Sequence, residues 1–129
     1  MKLLLDTNVL VAAVTNDTER SSSAVALLNE ATDPHVSLLS LMELRSVLSK
    51  KKQFEREHID RIEKRITSRT TVTIPDASDM MAANKLQSET LLYPMDSFIL
   101  AAAEAIDATL VSYDSELVEH GAKQPADVL

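Results

Sequence analysis

The 129-residue sequence contains no cysteine, no tryptophan and a single glycine. Without cysteine there is no disulfide framework, no zinc–thiolate site and no thiol nucleophile. One glycine excludes the phosphate-cradling loops of nucleotide and dinucleotide sites, which each need at least two. Aromatic residues are scarce, with only Phe54, Phe98, Tyr93 and Tyr113 present, so stacking on nucleobases can contribute little to any nucleic-acid recognition. No apolar run approaches a membrane span. The opening MKLLLDTNVLV meets Asp6 and Asn8 before the apolar core of a secretory signal develops. A cytoplasmic protein without membrane attachment is expected.

The hydrophobic content of 45% over 129 residues suffices for one buried core, and no linker, repeat or low-complexity tract interrupts the chain, so residues 1–129 read as a single domain. The formal charge is −7, a balance that repels polyanions overall. The charge is unevenly spread. Residues 45–69 hold nine basic against four acidic side chains, a net of +5, which leaves −12 for the remainder. Such a segment suits local binding of a polyanion, with Arg45, Lys50, Lys51 and Lys52 as candidate contacts. The alternative is a solvated, salt-bridged helix pair.

Strand-like and helix-like segments alternate. Residues 2–5, 35–38, 70–74 and 109–112 suit short strands. Helical patterns cover residues 7–16, 21–31, 39–51, 55–68, the stretch after Asp76 or Ser78, 97–106 and 115–120. Ser21 or Ser22 is the expected cap of the second helix, and Gly121 is placed where a helix terminates. In the third, Leu41, Leu44, Val47 and Leu48 form one stripe, with Leu39 and Met42 on another side, so packing on two sides is expected. In the fourth, Ile59, Ile62 and Ile66 recur on one face. This alternation predicts an α/β fold with a mostly parallel sheet of four or five strands, covered by helices on both faces.

The acids that interrupt apolar segments carry the chemistry. Asp6 ends the first strand, Glu43 is the sole acid in residues 38–48, Asp96 opens an apolar helix, and Asp114 follows the last strand by two residues. In a parallel sheet the carboxyl ends of strands share one edge, where ligand crevices form. Gathered carboxylates repel one another unless protonated or bridged by cations. An all-oxygen set favours Mg²⁺ or Mn²⁺ over zinc, and an ion of that kind activates water for phosphodiester hydrolysis. Each acid also has a structural alternative: Asp6 and Asp96 as helix N-caps, and Asp114 as a turn or capping residue. Glu43 resists such a reading, because a carboxylate in an apolar helix needs a partner and Arg45, two positions on, points elsewhere. His35, His58 and His120 are scattered and have no assigned role.

Taken together, LLDTNVLV around Asp6, SLMELRSVL around Glu43 and YPMDSFILAAAEAIDATLVSYD carrying Asp96, Ser112 and Asp114 resemble the PIN-domain family, specifically the short VapC-type toxins of prokaryotic toxin–antitoxin pairs. The resemblance runs along the whole chain. It implies a three-layer α/β/α sandwich and a Mg²⁺- or Mn²⁺-dependent endoribonuclease acting on structured RNA such as tRNA or rRNA, leaving 5′-phosphate and 3′-hydroxyl ends. It also implies a homodimer, neutralised by a cognate VapB-like antitoxin. By position, Asp6, Glu43 and Asp96 match the family's three core acids as catalytic and metal-binding residues, and Asp114 matches its more variable fourth. Ser112 matches the hydroxyl beside the fourth acid, and Asn8 the polar residue that steadies the first. Where many relatives carry an aromatic after the fourth acid, this chain has Leu117, which reads as a packing substitution. The exposed apolar positions of the first helices are a candidate dimer interface.

Three other readings compete. A catalytically degenerate PIN module would bind RNA or protein without cutting. A PIN nuclease of RNA maturation would share the chemistry but not the toxin role. A phosphatase of the haloacid dehalogenase type would use Asp6 as nucleophile, but it needs a second acid two residues later, where Asn8 stands.

Overall fold

In the computed structural model, which describes residues 1–16 and 19–129, four short strands form an all-parallel sheet. They are β1 (Lys2–Leu5), β2 (Asp33–Ser37), β3 (Thr71–Thr73) and β4 (Thr109–Val111), ordered β3-β2-β1-β4. Between β1 and β2 run α1 (Thr7–Thr15) and α2 (Arg20–Glu30). Between β2 and β3 run α3 (Leu38–Lys50) and α4 (Arg56–Arg69). The last crossover carries α5 (Ala77–Thr90) and α6 (Pro94–Ala105), and α7 (Ser115–Glu119) follows β4.

The sheet separates two apolar layers because successive strand residues face opposite sides. Leu3 and Leu5 of β1, Val36 and Val111 pack with α1 to α4. Leu4 and Leu110 face the other way, against Leu92, α6 and Leu117 of α7. Both faces are covered, which is why β1 reads KLLL rather than alternating apolar and polar. The three-layer α/β/α architecture expected from the sequence is therefore present, with four strands. Leu117 is 0% exposed and fills the second layer, as a packing substitution should. Gly121 sits just past α7 at φ +107, a backbone region that disfavours a side chain.

Local expectations fail where tertiary contacts override pattern. Neither Ser21 nor Ser22 caps α2: the helix starts one residue earlier behind Glu19, and Ser21 is buried inside it. Helix α6 starts at Pro94, three residues ahead of expectation, since proline suits a first helical position. In α3, Leu41, Leu44 and Leu48 are buried as expected, but Met42 is 61% exposed, so the helix packs mainly through one face. Among the described residues, the most exposed large apolar side chains are Leu38 and Met42 of α3, Met80 and Met81 of α5, Ile74, Leu91, Tyr93, Met95 and the terminal Met1 and Leu129. On α1 and α2 the apolar residues divide: Val9, Leu10, Ala24 and Leu27 are buried in the core, whereas Val14, Val25 and Leu28 are half-buried and line a groove with Phe54 and Ile62. Among the described residues, no helix is long and apolar enough to cross a membrane.

Candidate active site: an acidic cleft at the sheet's switch point

Strand β1 feeds α1 on one face of the sheet, whereas its neighbour β4 feeds α7 on the other. The chain thus diverges between the carboxyl ends of β1 and β4 and opens a crevice there. Helix α6 leads back into β4, so its first turn returns to the same edge. The resulting cleft, about 160 Å³, is lined by Asp6, Glu43, Asp96 and Asp114 together with Thr7, Asn8, Ser37, Leu39, Ser40, Met95, Phe98 and Ile99. The four acids singled out from sequence are brought together. Among the described residues, no lysine, arginine or histidine lines the cleft with them.

Asp6 serves two ends. As N-cap of α1 it accepts a hydrogen bond from the Thr7 backbone N–H at 2.8 Å, and its second carboxylate oxygen accepts from Ser112 Oγ at 2.9 Å. Its own N–H donates to the Val111 carbonyl at 2.9 Å, which locks it to β4. The capping reading and the cleft position both hold. Ser112 is fully buried and is the hub of this edge. Besides donating to Asp6, its oxygen accepts from Asn8 Nδ2 at 3.1 Å and from the Asp114 N–H at 3.0 Å. Asn8 Oδ1 in turn accepts from the Tyr113 N–H at 3.1 Å. Asn8 therefore steadies Asp6 through Ser112 rather than by touching it.

Asp114 also has a dual role: it lines the cleft and caps α7, accepting from the Glu116 N–H at 2.9 Å. Asp96 differs. It stands in the first turn of α6 but is not its cap, and among the described residues no hydrogen bond engages its carboxylate. Glu43 is on an exposed face of α3, reaching the cleft from the side rather than being buried in an apolar helix.

The electrostatics follow from this crowding. Burial pushes the Asp6 carboxyl above the ordinary carboxylate range, and the charges of Glu43 and Asp114 add to the rise, against the lowering by the Ser112 and Thr7 hydrogen bonds. Asp96 is likewise raised, first by burial and then by Asp114, Asp6, Glu116 and Glu43. Such mutual repulsion without a counter-cation is the setting that a hard divalent ion relieves. Among the described residues, no three acidic or histidine side chains stand close enough to enclose an ion directly. The four cleft carboxylates supply oxygen donors, the chemistry that suits a hard divalent ion, and the rest of such an ion's shell would be water.

The basic segment divides. Arg45 donates to Asp60 at 2.6 Å and to Glu63 at 3.0 Å, both on α4, so it meets the salt-bridged helix-pair reading. Those carboxylates raise its pKa further. Lys50 ends α3, Lys51 caps it and Lys52 follows. Lys52 lines a second groove beside the cleft with Arg20. Neither Arg20 nor Tyr113, whose ring lies against the Arg20 guanidinium, is marked by any local sequence pattern.

The family's sequence model for the PIN domain matches residues 3–123. The chain belongs to the PIN-domain family, a family of nucleases. No curated protein matches the sequence. Among solved structures, a toxin–antitoxin complex from Klebsiella pneumoniae is similar, with TM-score 0.77 and 20% identity over 96% of this chain and 98% of that one. VapC20 from Mycobacterium tuberculosis, a sarcin–ricin-loop-cleaving toxin, is similar at TM-score 0.79 and 16% identity, over 94% and 96%. VapBC2 from Rickettsia felis, bound to a DNA fragment from its promoter, is similar at TM-score 0.75 and 22% identity, over 96% and 97%.

Proposed function

We propose that this chain is a metal-dependent endoribonuclease, the toxin of a VapBC-type pair, that hydrolyses phosphodiesters in structured RNA such as tRNA or rRNA. The observation that carries this is the cleft: four carboxylates line one crevice at the switch point with no cation among them. Membership of a nuclease family supports it. So do the similar structures, which include an RNA-cleaving toxin and toxin–antitoxin complexes. In this reading the protein works as a cytoplasmic homodimer restrained by a VapB-like antitoxin.

Asp6, Asp96, Glu43 and Asp114 would hold one or two Mg²⁺ or Mn²⁺ ions, largely through water. A bound ion would acidify water and offset the negative charge that builds on the phosphodiester. The chain's own residues do the positioning. Ser112 holds one Asp6 oxygen, the α1 N-terminus holds the other, and Asn8 orients the Ser112 hydroxyl. Lys50, Lys51 and Lys52, beyond the cleft, contribute positive potential toward the RNA backbone. Arg45 is occupied by α4 and takes the structural role instead.

Incubating total cellular RNA with Mg²⁺ or Mn²⁺ tests this, with EDTA and the Asp6→Asn variant as controls. Discrete fragments with 5′-phosphate ends from the parent alone are the expected result. No cleavage with either metal, by folded protein free of any antitoxin, would make the chain a binding module instead.

A further inference from the structure

A second groove, of about 310 Å³, adjoins the acidic cleft and shares Thr7, Asn8 and Glu43 with it. Arg20, the first residue of α2, lines it. The Arg20 guanidinium lies 4.7 Å from the centroid of the Tyr113 ring. That ring is held at both ends. The Tyr113 backbone N–H donates to Asn8 Oδ1 at 3.1 Å, and its hydroxyl donates to the Arg20 carbonyl at 3.0 Å while lying 3.0 Å from Ser23 Oγ.

Among the described residues, no carboxylate pairs with Arg20, in contrast to Arg45. Contact with an aromatic face orients a guanidinium without consuming its N–H donors or its charge. The fork is therefore placed, charged and able to take a phosphate through two parallel hydrogen bonds. A cleft of four carboxylates repels a polyanion, so a strand entering it needs a positive contact close by. The adjoining groove carries Arg20 and Lys52, and Asn8 links the two places: it bonds both Ser112, the donor to Asp6, and Tyr113, the seat of Arg20.

We propose that Arg20, seated on Tyr113, is a positioning residue that binds a backbone phosphate of the RNA strand next to the phosphodiester in the acidic cleft. This rests on the ribonuclease reading above. Through Asn8 and Tyr113, the register of the strand is tied to Asp6.

The test uses a labelled RNA spanning the cleavage site mapped in the total-RNA assay. Its affinity for Asp96→Asn protein, which is expected to bind without cutting, is measured over a range of salt with and without Arg20→Gln. Arg20→Gln is expected to weaken binding about tenfold. It should also flatten the slope of log affinity against log salt by about 0.7, the loss of one phosphate contact on a single strand. Arg20→Lys should restore the slope with only part of the affinity. Tyr113→Phe, which keeps the ring face and loses the hydroxyl tether, should weaken binding less than Tyr113→Leu, which loses both. In cleavage-competent protein Arg20→Gln should raise KM more than it lowers kcat. Unchanged affinity and slope in a protein that still cuts RNA would remove Arg20 from the site and leave the ribonuclease reading standing. Weaker binding at an unchanged slope would make its role merely structural and overturn the proposal. A parent that neither binds nor cuts RNA would overturn both.

Discussion

Asp60 and Glu63 on α4 sit opposite Arg45, which donates to both at 2.6 and 3.0 Å. Asp6 and Asp96 sit in a cleft with two further acids and no cation lining it. The side chains are of the same kind, but their energetics run opposite ways. The first set gains from mutual attraction at a solvated surface, modestly and in a salt-dependent way. The second is destabilised by burial and by its neighbours. Crowding of this kind costs stability, which is what the proposed active site would trade for its chemistry.

The comparison breaks most sharply at Asp96. Its carboxylate has no hydrogen bond among the described residues, so Asp96→Asn should leave the fold intact while lowering metal-dependent RNA cleavage by about a hundredfold or more. Cleavage rates and circular dichroism of the two proteins decide this. Ser112→Ala comes next. It strips a donor from Asp6 and an acceptor from Asn8 and Asp114, and should cost roughly tenfold to a hundredfold in activity. Stability should fall by about 1–3 kcal/mol, read from denaturant unfolding.

A smaller effect concerns pH. In metal-free protein the folded-state pKa values of Asp6 and Asp96 lie above their unfolded values. Their contribution to stability is therefore complete below the ordinary carboxylate range and is lost as pH rises through the raised values. Asp6→Asn should accordingly melt about 2–4 °C higher than the parent at neutral pH without metal. The gap should shrink on adding Mg²⁺, and equal melting at every pH would contradict this account. The smallest effect belongs to Arg45→Met. It should lower the melting temperature less than Ser112→Ala does, and high salt should reduce that loss.

Much of this was legible from residue order. The four strands, the Ile59–Ile62–Ile66 face of α4 and the break at Gly121 each followed from a short-range pattern, because period and turn chemistry act within a few residues. The four acids were visible too: Asp6, Asp96 and Asp114 at or near the ends and starts of apolar segments, and Glu43 as the sole acid inside one. The errors lay where a distant contact decided the outcome. Ser21 looked like a cap but is buried inside α2, and Met42 looked like a packing residue but faces solvent. A different kind of long-range information is the pairing of Arg45 with Asp60 and Glu63 of α4, 15 and 18 residues on, which no local pattern announces.

By itself, then, the sequence determined the alternation of strands and helices, the four acids that stand out from its apolar segments and membership of the PIN family. Only the tertiary structure decided that those acids share one cleft without a cation, that Ser112 rather than Asn8 holds Asp6, and that Arg20 rests on Tyr113 beside them. The reason is physical. Periodicity reports which face of an element avoids water, but the pairing of charges depends on which elements the sheet order places side by side.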